Sequence, residues 1–467
     1  MKTKIILTAM VAVIMAQAFL PLASTAGTHT ALSSGVMFQG FYWDVPEGWY
    51  ATLADAAPSL GDINGYSIDY IWFPPPSKGM SGASSMGYDI YDYYDLGSYD
   101  QKDTIETRFG SFDGLKDAIE TYHGYGIGVI GDLVLNHRGG GDLEFNPNVD
   151  DSTYTDFGGV ASQQCTWHYD EFHPSSYGYG DEGSFGGFPD LCHTNEMVIG
   201  DLTAWGQWLR EIGFDGWRFD YVKGYPPWVS GDFKYGTGDP FSVAEFWDRD
   251  VYAIEQWISD AGGGIWAFDF PLYYTMRDVC MATDGSGDMR GFIDPYASLV
   301  ASNPSRAVTF AANHDTDEIV YDKMLAYGFM LTYEGIPCIW WKDYFDYGLS
   351  DGGADGTQEW GNGIDQLIWV RGALGGGSPE VEVVYVDSDL LIYQEIAHQG
   401  YVVVLNDSKK WRGMNVGTRF SEVEMKCYAW SSTIDNSQPQ NKWSDPWGSV
   451  ELWAPPRGYA IYAPANI

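Results

Sequence analysis

The residues with the clearest chemical potential are Arg218 and Asp220, two positions apart in the aromatic-rich run 214–222. If this run is a β-strand, both side chains point to the same face, because side chains alternate along a strand. A guanidinium beside a carboxylate keeps the carboxylate ionised and fixes its direction. Such a carboxylate can attack a sugar carbon that carries developing positive charge, as glycosyl transfer requires. For an isolated pair, an ion pair that only stabilises a core is the alternative.

Further polar residues follow other apolar runs along the chain. Residues 132–137 close one run with Asp, Asn and His, Glu245 closes another, and residues 313–315 (Asn-His-Asp) close a third. A single acid at a strand end is more often structural or solvated. Three acids, two histidines and an arginine that meet at one place would instead form a catalytic site.

The elements that must position these residues are short apolar runs alternating with helical patterns. The predicted strands are residues 36–41, 67–73, 128–135, 216–222, 241–246, 265–270, 307–312 and 336–341. The predicted helices include residues 112–122, 201–211 and 251–261. This alternation predicts an α/β fold of the (β/α)₈ TIM-barrel type, whose active site lies at the carboxyl ends of the strands.

Two breaks in the alternation predict additional domains. Residues 138–197 are rich in Gly, Asp, Tyr and Ser and too long for an ordinary loop, so we predict a subdomain inserted after strand 3. The Gly-rich run 375–379 is typical of a linker, and β-rich runs follow it. We therefore predict a catalytic barrel over residues 27–373 and a C-terminal antiparallel β domain over residues 374–467.

The amino-terminal residues 1–26 are typical of a secretory signal peptide. Lys2 and Lys4 precede an apolar stretch, residues 5–22, and small residues follow it. The stretch is near the lower limit for a membrane span, so an uncleaved anchor is the alternative. We expect a secreted, extracellular protein.

The charge balance restricts the possible partners. The chain has 64 acidic and 25 basic side chains, a formal net charge of −39. Such a chain repels nucleic acid and anionic membrane, so we expect neither as a partner, and we expect a monomer. Adaptation to high salt and plain solubility both explain the excess of acids. Aromatic residues make up 16% of the chain, which suits a carbohydrate cleft because aromatic rings stack on sugars.

The strand-end segments resemble, in order and spacing, the signature segments of the α-amylase family of glycoside hydrolases. Residues 188–191 resemble a fifth family segment within the insertion. The resemblance covers nearly the whole chain after residue 26 and looks closest to secreted, calcium-dependent archaeal α-amylases. It implies endo-acting hydrolysis of internal α-1,4 bonds in starch, glycogen and related glucans, with retention. A 4-α-glucanotransferase-type transglycosylase and a non-catalytic glucan-binding protein are the alternatives.

The resemblance implies a role for each of the three acids. Asp220 would be the nucleophile that forms a glycosyl enzyme. Glu245 would protonate the departing oxygen and then deprotonate the incoming water. Asp315 would bind sugar hydroxyls and stabilise the transition state. The same resemblance implies substrate-binding residues, namely Tyr88, His137, Arg218, Lys223, Gly224 and His314.

The resemblance also implies calcium as a cofactor. Asn136, Asp190 and the carbonyl of Gly224 match the family's calcium site, and Asp181 and the Gly183 carbonyl match additional ligands of the archaeal enzymes. Amide, carboxylate and carbonyl oxygens are the ligands that Ca²⁺ prefers.

A zinc site is a further possible cofactor site. His173 and Cys192 match two ligands of the archaeal zinc site, but Gly178 occupies the position of the second histidine. Cys165 or His168 could supply the missing ligand, since zinc accepts thiolate and imidazole.

Overall fold

The computed structural model describes residues 32–177, 185–284, 286–351 and 363–466. The predicted signal peptide lies outside the described residues. Asp181 and Gly183, two of the predicted calcium ligands, and Gly178 lie outside them as well.

Eight parallel strands close into a barrel within the described chain. They are β1 (Met37–Gln39), β2 (Tyr70–Phe73), β3 (Gly128–Leu133), β4 (Gly216–Phe219), β5 (Phe241–Ala244), β6 (Trp266–Phe268), β7 (Ala307–Phe310) and β8 (Ile336–Trp340). Each strand pairs with the next along the chain, and β8 pairs with β1. Nearly every strand residue is buried, as expected for a parallel sheet covered on both faces. The predicted TIM barrel is therefore confirmed.

Helices separate the strands and cover the barrel. Those in the described residues are α1 (Trp49–Gly61), α2 (Phe112–Gly124), α3 (Glu196–Ile212), α4 (Pro227–Thr237), α5 (Val251–Asp260), α6 (Phe270–Met281), α7 (Leu299–Ser302), α8 (Lys323–Met330) and α9 (Ile364–Trp369). Short 3₁₀ or π turns are Gly82–Ser84, Tyr169–Glu171, Val222–Gly224, Met289–Ile293, Pro304–Arg306, Lys342–Asp346 and Val370–Leu374. Helix α3 begins five residues before the predicted start, because the side chain of Asn195 accepts a hydrogen bond from Met197 N and caps the helix there.

An antiparallel hairpin lies between β3 and α3, formed by Asp142–Asn146 and Asp151–Asp156. An isolated bridge pairs His137 with Asp190, so the end of this insertion lies against the chain that leaves β3. Whether residues 138–197 form a subdomain of their own stays a prediction. Other short paired strands are Leu32–Ser33 with Tyr66–Ser67 and Lys78–Gly79 with Ile90–Asp92.

The C-terminal residues form an antiparallel β domain, as predicted. Its strands are β9 (Val381–Val386), β10 (Leu390–Glu395), β11 (Val402–Asn406), β12 (Arg412–Gly417), β13 (Glu424–Ser432), β14 (Lys442–Trp443), β15 (Ser449–Ala454) and β16 (Gly458–Pro464). They form a six-stranded sheet in the order 9-10-11-16-13-14 and a β12–β15 pair.

The C-terminal domain is joined to the barrel by a buried ion pair. Arg457, which is 3% exposed, donates from Nε to Asp322 Oδ2 at 2.6 Å and also contacts Asp407. Because a buried charge needs a close partner, this contact fixes the domain against the start of α8. No helix in the described ranges is long and apolar enough to cross a membrane.

Candidate active site

The carboxyl ends of β4 and β5 place two acids side by side. Asp220 follows β4 directly and Glu245 follows β5 directly. Asp220 N donates to Leu133 O, and Glu245 N donates to Phe219 O, each at 3.0 Å. The parallel pairing thus continues one residue beyond the strands, and it sets the two carboxyl groups at neighbouring positions on the barrel rim.

A fully buried guanidinium connects these acids. Arg218 Nη1 lies 2.7 Å from Asp220 Oδ1 and 2.9 Å from Asp132 Oδ1. Its Nη2 lies 2.8 Å from Glu245 Oε1. Asp132 stands beside Arg218 in the β3–β4 register, so the barrel itself fixes the position of the cation. The predicted role of Arg218 in orienting Asp220 agrees with this geometry.

The Asp220 and Glu245 carboxyls titrate far from their usual range. Burial, together with the charges of neighbouring carboxylates, raises the pKa of each to about 7, although the contact with Arg218 opposes the shift. Because like charges this close cannot both ionise freely, the pair retains close to one proton at neutral pH. One carboxylate and one carboxylic acid side by side are the two forms that a retaining glycosidase uses.

A second network brings Asp315 to the same rim. His314 Nε2 lies 3.0 Å from Asp315 Oδ2 and 2.7 Å from the Tyr88 hydroxyl, while Gln39 Nε2 lies 2.8 Å from His314 Nδ1. Since the Gln39 amide nitrogen donates, Nδ1 accepts and the ring proton is on Nε2, where it faces Asp315 and Tyr88. Although burial alone would raise it, the contact with His314 holds the pKa of Asp315 below its usual value.

A pocket of about 510 Å³ opens over these groups. It is lined by Trp43, Tyr88, Phe185, Asp220, Tyr221, Lys223, Glu245, Trp247 and Asp315. The three predicted catalytic acids therefore share one pocket. Two of its lining rings, those of Trp43 and Tyr88, lie nearly parallel with centroids 5.9 Å apart, and the His314 ring lies nearly parallel to Tyr88 with centroids 5.3 Å apart.

Four of the lining residues were not predicted from the sequence: Trp43, Phe185, Tyr221 and Trp247. Trp43 and Trp247 each lie shortly after a barrel strand, so the strand-end rule that found the acids could have found them. Phe185 lies in the insertion, and Tyr221 follows the nucleophile candidate. Neither carries a local signal of its own.

Two predicted substrate-binding residues make other contacts in this structure. His137 Nε2 donates to the Tyr88 carbonyl at 2.9 Å, and its ring stacks on the rings of Phe185 and Phe188. Burial lowers the pKa of His137 to about 4, so the imidazole is neutral. Lys223 lines the pocket and pairs with Asp248 at 2.8 Å. Direct binding of sugar by His137 and Lys223 stays a prediction.

Three predicted calcium ligands, Asn136, Asp190 and Gly224, lie close to one another. Leu191 N donates to Asn136 O at 3.0 Å, which places Asp190 beside Asn136. A Cβ added at Gly224 would overlap Asn136 Oδ1, so these two residues are in direct contact. An amide oxygen, a carboxylate and a backbone carbonyl fit a Ca²⁺ site, because Ca²⁺ accepts mixed oxygen donors.

The predicted zinc site lacks a third ligand within the described residues. There, no three His, Cys, Asp or Glu side chains are grouped so that they could hold a metal ion. Cys192 Sγ lies 3.0 Å from Ser175 Oγ, and His168 lies 3.3 Å from Glu144. Burial raises the pKa of the Cys165 thiol to about 12, which disfavours the thiolate that zinc needs.

Known proteins resemble the chain in both sequence and fold. The family model described as "Alpha amylase, catalytic domain" matches residues 59–249, and the model described as "Alpha-amylase C-terminal" matches residues 383–463. The glucan 1,4-α-maltohexaosidase of Bacillus sp. (strain 707) is 30% identical over 406 residues, which cover 73% of this chain and 76% of that protein. The α-amylase of Geobacillus stearothermophilus is 30% identical over 374 residues, which cover 67% of each chain.

A solved structure shows the same fold. The crystal structure of α-amylase from Geobacillus thermoleovorans, complexed with acarbose, superposes with a TM-score of 0.66 at 18% identity, covering 93% of this chain and 98% of that one. At this identity the superposition shows only the fold. The family-model matches and the relatives at 30% identity also show the family. The chain belongs to the α-amylase family of glycoside hydrolases.

Proposed function

We propose that this chain hydrolyses internal α-1,4-glucosidic bonds of starch, glycogen and related glucans by an endo-acting, retaining double displacement. The observation that carries the proposal is the pair of Asp220 and Glu245, bridged by Arg218 at adjacent strand ends and facing one pocket with Asp315. The names of the 30% identical relatives, an α-amylase and a maltohexaosidase, support the glucan as substrate.

In the first step Asp220 attacks the anomeric carbon. The new C–O ester bond forms as the glycosidic C–O bond breaks, and Glu245 gives its proton to the departing oxygen. Arg218 favours the ionised form of Asp220 and aims its carboxylate during the attack. The raised pKa of Glu245 keeps a proton available at neutral pH.

In the second step water replaces the departed sugar. Glu245, now a carboxylate, takes a proton from the water as its oxygen attacks the anomeric carbon, and the bond to Asp220 breaks. The two displacements restore both carboxyl groups and retain the anomeric configuration. Asp315 stays ionised, because the contact with His314 lowers its pKa, and so stabilises the positive charge that develops on the sugar ring.

The aromatic wall would hold the sugar for this chemistry. Trp43 and Tyr88 offer ring faces to the apolar side of a glucose unit, and aromatic rings bury such surfaces favourably. Phe185 and Trp247 line the same pocket. Lys223 and Gly224 would contact the leaving-group side.

Calcium belongs to the proposal as a structural cofactor. Asn136, Asp190 and the Gly224 carbonyl would hold it, together with Asp181 and the Gly183 carbonyl. When bound, the ion would link the insertion to the barrel at a position near Asp220. Zinc at His173 and Cys192, and a particular likeness to archaeal enzymes, remain proposals based on the motif resemblance alone.

Export belongs to the proposal as well. The basic start and apolar stretch of residues 1–26 support a secreted, extracellular protein. That the protein acts as a monomer on its glucan is a further part of the proposal. The high negative charge supports the absence of nucleic acid and membrane partners.

The decisive experiment compares the wild-type chain with Asp220→Asn in an iodine–starch assay, with and without a calcium chelator. We expect hydrolysis by the variant to fall by several orders of magnitude, because the covalent route is lost. Near-isosteric Asn preserves the pocket, and circular dichroism checks the fold. Full activity of the variant would contradict the assigned nucleophile.

Product analysis on maltoheptaose separates hydrolysis from glucanotransfer, since transfer gives products longer than the substrate.

A further inference from the structure

The buried amide of Gln39 contacts the active site through His314. Gln39 is the last residue of β1 and is 1% exposed, and its Nε2 lies 2.8 Å from His314 Nδ1. The side chain of His314 is itself fully buried in this structure. Both of its ring nitrogens therefore need protein partners, and within the described part of the chain the Gln39 amide is the partner of Nδ1.

The oxygen of the same amide makes no such contact. Gln39 Oε1 is buried and has no hydrogen-bond partner among the described residues. A buried polar atom without a partner lowers stability, and an apolar side chain of similar size would remove it. Packing therefore does not explain an amide at this position, whereas the hydrogen bond to His314 does.

The opposite ring nitrogen of His314, Nε2, faces two oxygen atoms. They are the Tyr88 hydroxyl at 2.7 Å and Asp315 Oδ2 at 3.0 Å. The Tyr88 hydroxyl donates its own proton to Asp132 Oδ2 at 2.7 Å, so its oxygen is free to accept one from His314. A carboxylate only accepts. Both contacts of Nε2 therefore require the ring proton to be on Nε2.

Gln39 thus sets the direction of a continuous chain of hydrogen bonds. The Gln39 amide donates to His314, and His314 donates to Tyr88. Tyr88 donates to Asp132, whose other oxygen accepts from Arg218 Nη1 at 2.9 Å. The same guanidinium nitrogen holds the candidate nucleophile. The chain therefore connects β1 to the cation that orients the nucleophile.

The protonation of His314 also decides the net charge beside the reacting sugar. A neutral ring that donates from Nε2 leaves Asp315 with its full negative charge. A ring with a second proton on Nδ1 would be a cation, and its charge would cancel that of Asp315. A ring with its only proton on Nδ1 would turn a lone pair toward Asp315 and repel it. Because Asp315 is proposed to stabilise positive charge on the sugar, only the first form serves the reaction.

We infer that Gln39 is a positioning residue for the hydrolysis: its amide donates to Nδ1 of His314 and so keeps the ring neutral, with its proton on Nε2 toward Asp315. Gln39 acts through His314 and does not itself bind the sugar. The inference rests on the proposed function, because it takes the role of Asp315 from it.

The test uses two substitutions of similar size and one control in the full chain. Gln39→Glu keeps the shape but replaces the donating NH₂ group with an acceptor, and Gln39→Met offers no donor. Thr309→Val is the matched control, because Thr309 Oγ1 in β7 is also a buried polar atom without a hydrogen-bond partner among the described residues. We measure kcat and KM on soluble maltoheptaose, and thermal unfolding, for each protein.

We expect kcat of Gln39→Met to fall by about 10–100-fold, less than the roughly 10⁴-fold lost when the tautomer of a proton-transferring histidine is wrong. Gln39→Glu should lose more, because its carboxylate draws a second proton onto the ring. KM should change less than kcat, since the charge on the sugar develops only in the transition state. Gln39→Met should unfold close to the wild-type temperature, and Thr309→Val should keep the wild-type kcat.

The order of the variants distinguishes donation from the other possible roles of Gln39. If the amide accepted a proton from Nδ1 instead, Gln39→Glu would be at least as active as the wild type. If the side chain only filled space, each variant would lose activity in proportion to its loss of thermal stability. Either result would overturn the inference.

The tautomer of His314 is also measured without substrate, by nitrogen-15 NMR of protein with labelled histidine, and His314→Gln assigns the signal. We expect a neutral ring with its proton on Nε2 in the wild type, and a proton on Nδ1 would overturn the inference. Failure of the proposed function has a different signature, because the wild type would then not cleave maltoheptaose whatever its tautomer.

Discussion

The backbone amide of Tyr221 donates a hydrogen bond to Glu245 Oε2 at 3.0 Å. Tyr221 has φ 44° and ψ 48°, the left-handed region that a residue with a side chain seldom occupies. The chain turns there directly after Asp220, and the turn aims this amide at the neighbouring strand end. One oxygen of Glu245 is thus held by the backbone and the other by Arg218, so the carboxyl group cannot rotate freely. Strained backbone of this kind is concentrated at functional sites.

Glu245→Gln removes the proton donor while keeping the acceptor for Tyr221 N. We expect kcat on starch to fall by about 10²–10⁴-fold, the usual contribution of a general acid. A substrate with a good leaving group, such as α-maltosyl fluoride, needs no protonation, so formation of the glycosyl enzyme from it should be much less affected. Initial rates and burst kinetics on both substrates measure the difference. Equal losses on both substrates would assign Glu245 a role other than acid.

The pH dependence of catalysis follows from the coupled carboxyls. Burial raises the pKa of both Asp220 and Glu245 to about 7, so the pair carries one proton near neutrality. We expect kcat/KM to pass through a maximum near pH 7. It falls at lower pH, where both groups are protonated, and at higher pH, where both are ionised. A rate that stays constant from pH 5 to about 9 would exclude the shared proton.

Asp220→Asn should change the pH dependence of stability as well as activity. A carboxyl whose pKa is raised on folding binds more protons in the folded state, so its contribution to stability falls as pH rises from the unfolded pKa of about 4 to the folded pKa. The asparagine side chain does not ionise, so the variant does not lose stability in this way as the pH rises. We expect its free energy of unfolding to exceed that of the wild type by on the order of 1 kcal/mol at pH 8, and the difference to vanish near pH 4. Denaturant titrations at the two pH values measure it, and a variant less stable at pH 8 would contradict the expected sign.

The barrel was predictable because each strand is a compact apolar run and its polar residues follow at the carboxyl end. Asp220, Glu245 and Asp315 were found in this way, and the structure places all three in one pocket. Segment boundaries were less predictable. Helix α3 begins at Glu196 rather than residue 201, because the Asn195 cap outweighs the weak hydrophobic pattern of its first turn.

The contacts of side chains from distant segments could not be predicted. The prediction that His137 binds sugar stays a prediction, but the stacking of its ring on Phe185 and Phe188, about fifty residues further along the chain, was not predicted. Trp43 stacks on Tyr88 only because β1 and the loop after β2 meet at the barrel rim. The periodicity of the sequence does not predict these contacts between distant side chains, because they depend on how the loops fold over the closed barrel.

Calcium should stabilise the chain, and Gly224 should control the effect. A Cβ at this position would overlap Asn136 Oδ1, so Gly224→Ala displaces a predicted ligand without removing any donor atom. We expect calcium at one hundred times its Kd to stabilise the wild type by about 2.7 kcal/mol, and the variant much less. Gly200→Ala is the matched control, because nothing lies within 4 Å of a Cβ there and α3 tolerates alanine. Thermal unfolding with calcium and with chelator measures all three proteins. A calcium response of Gly224→Ala equal to that of the wild type would place the ion elsewhere, because the crowded Asn136 amide could not then be one of its ligands.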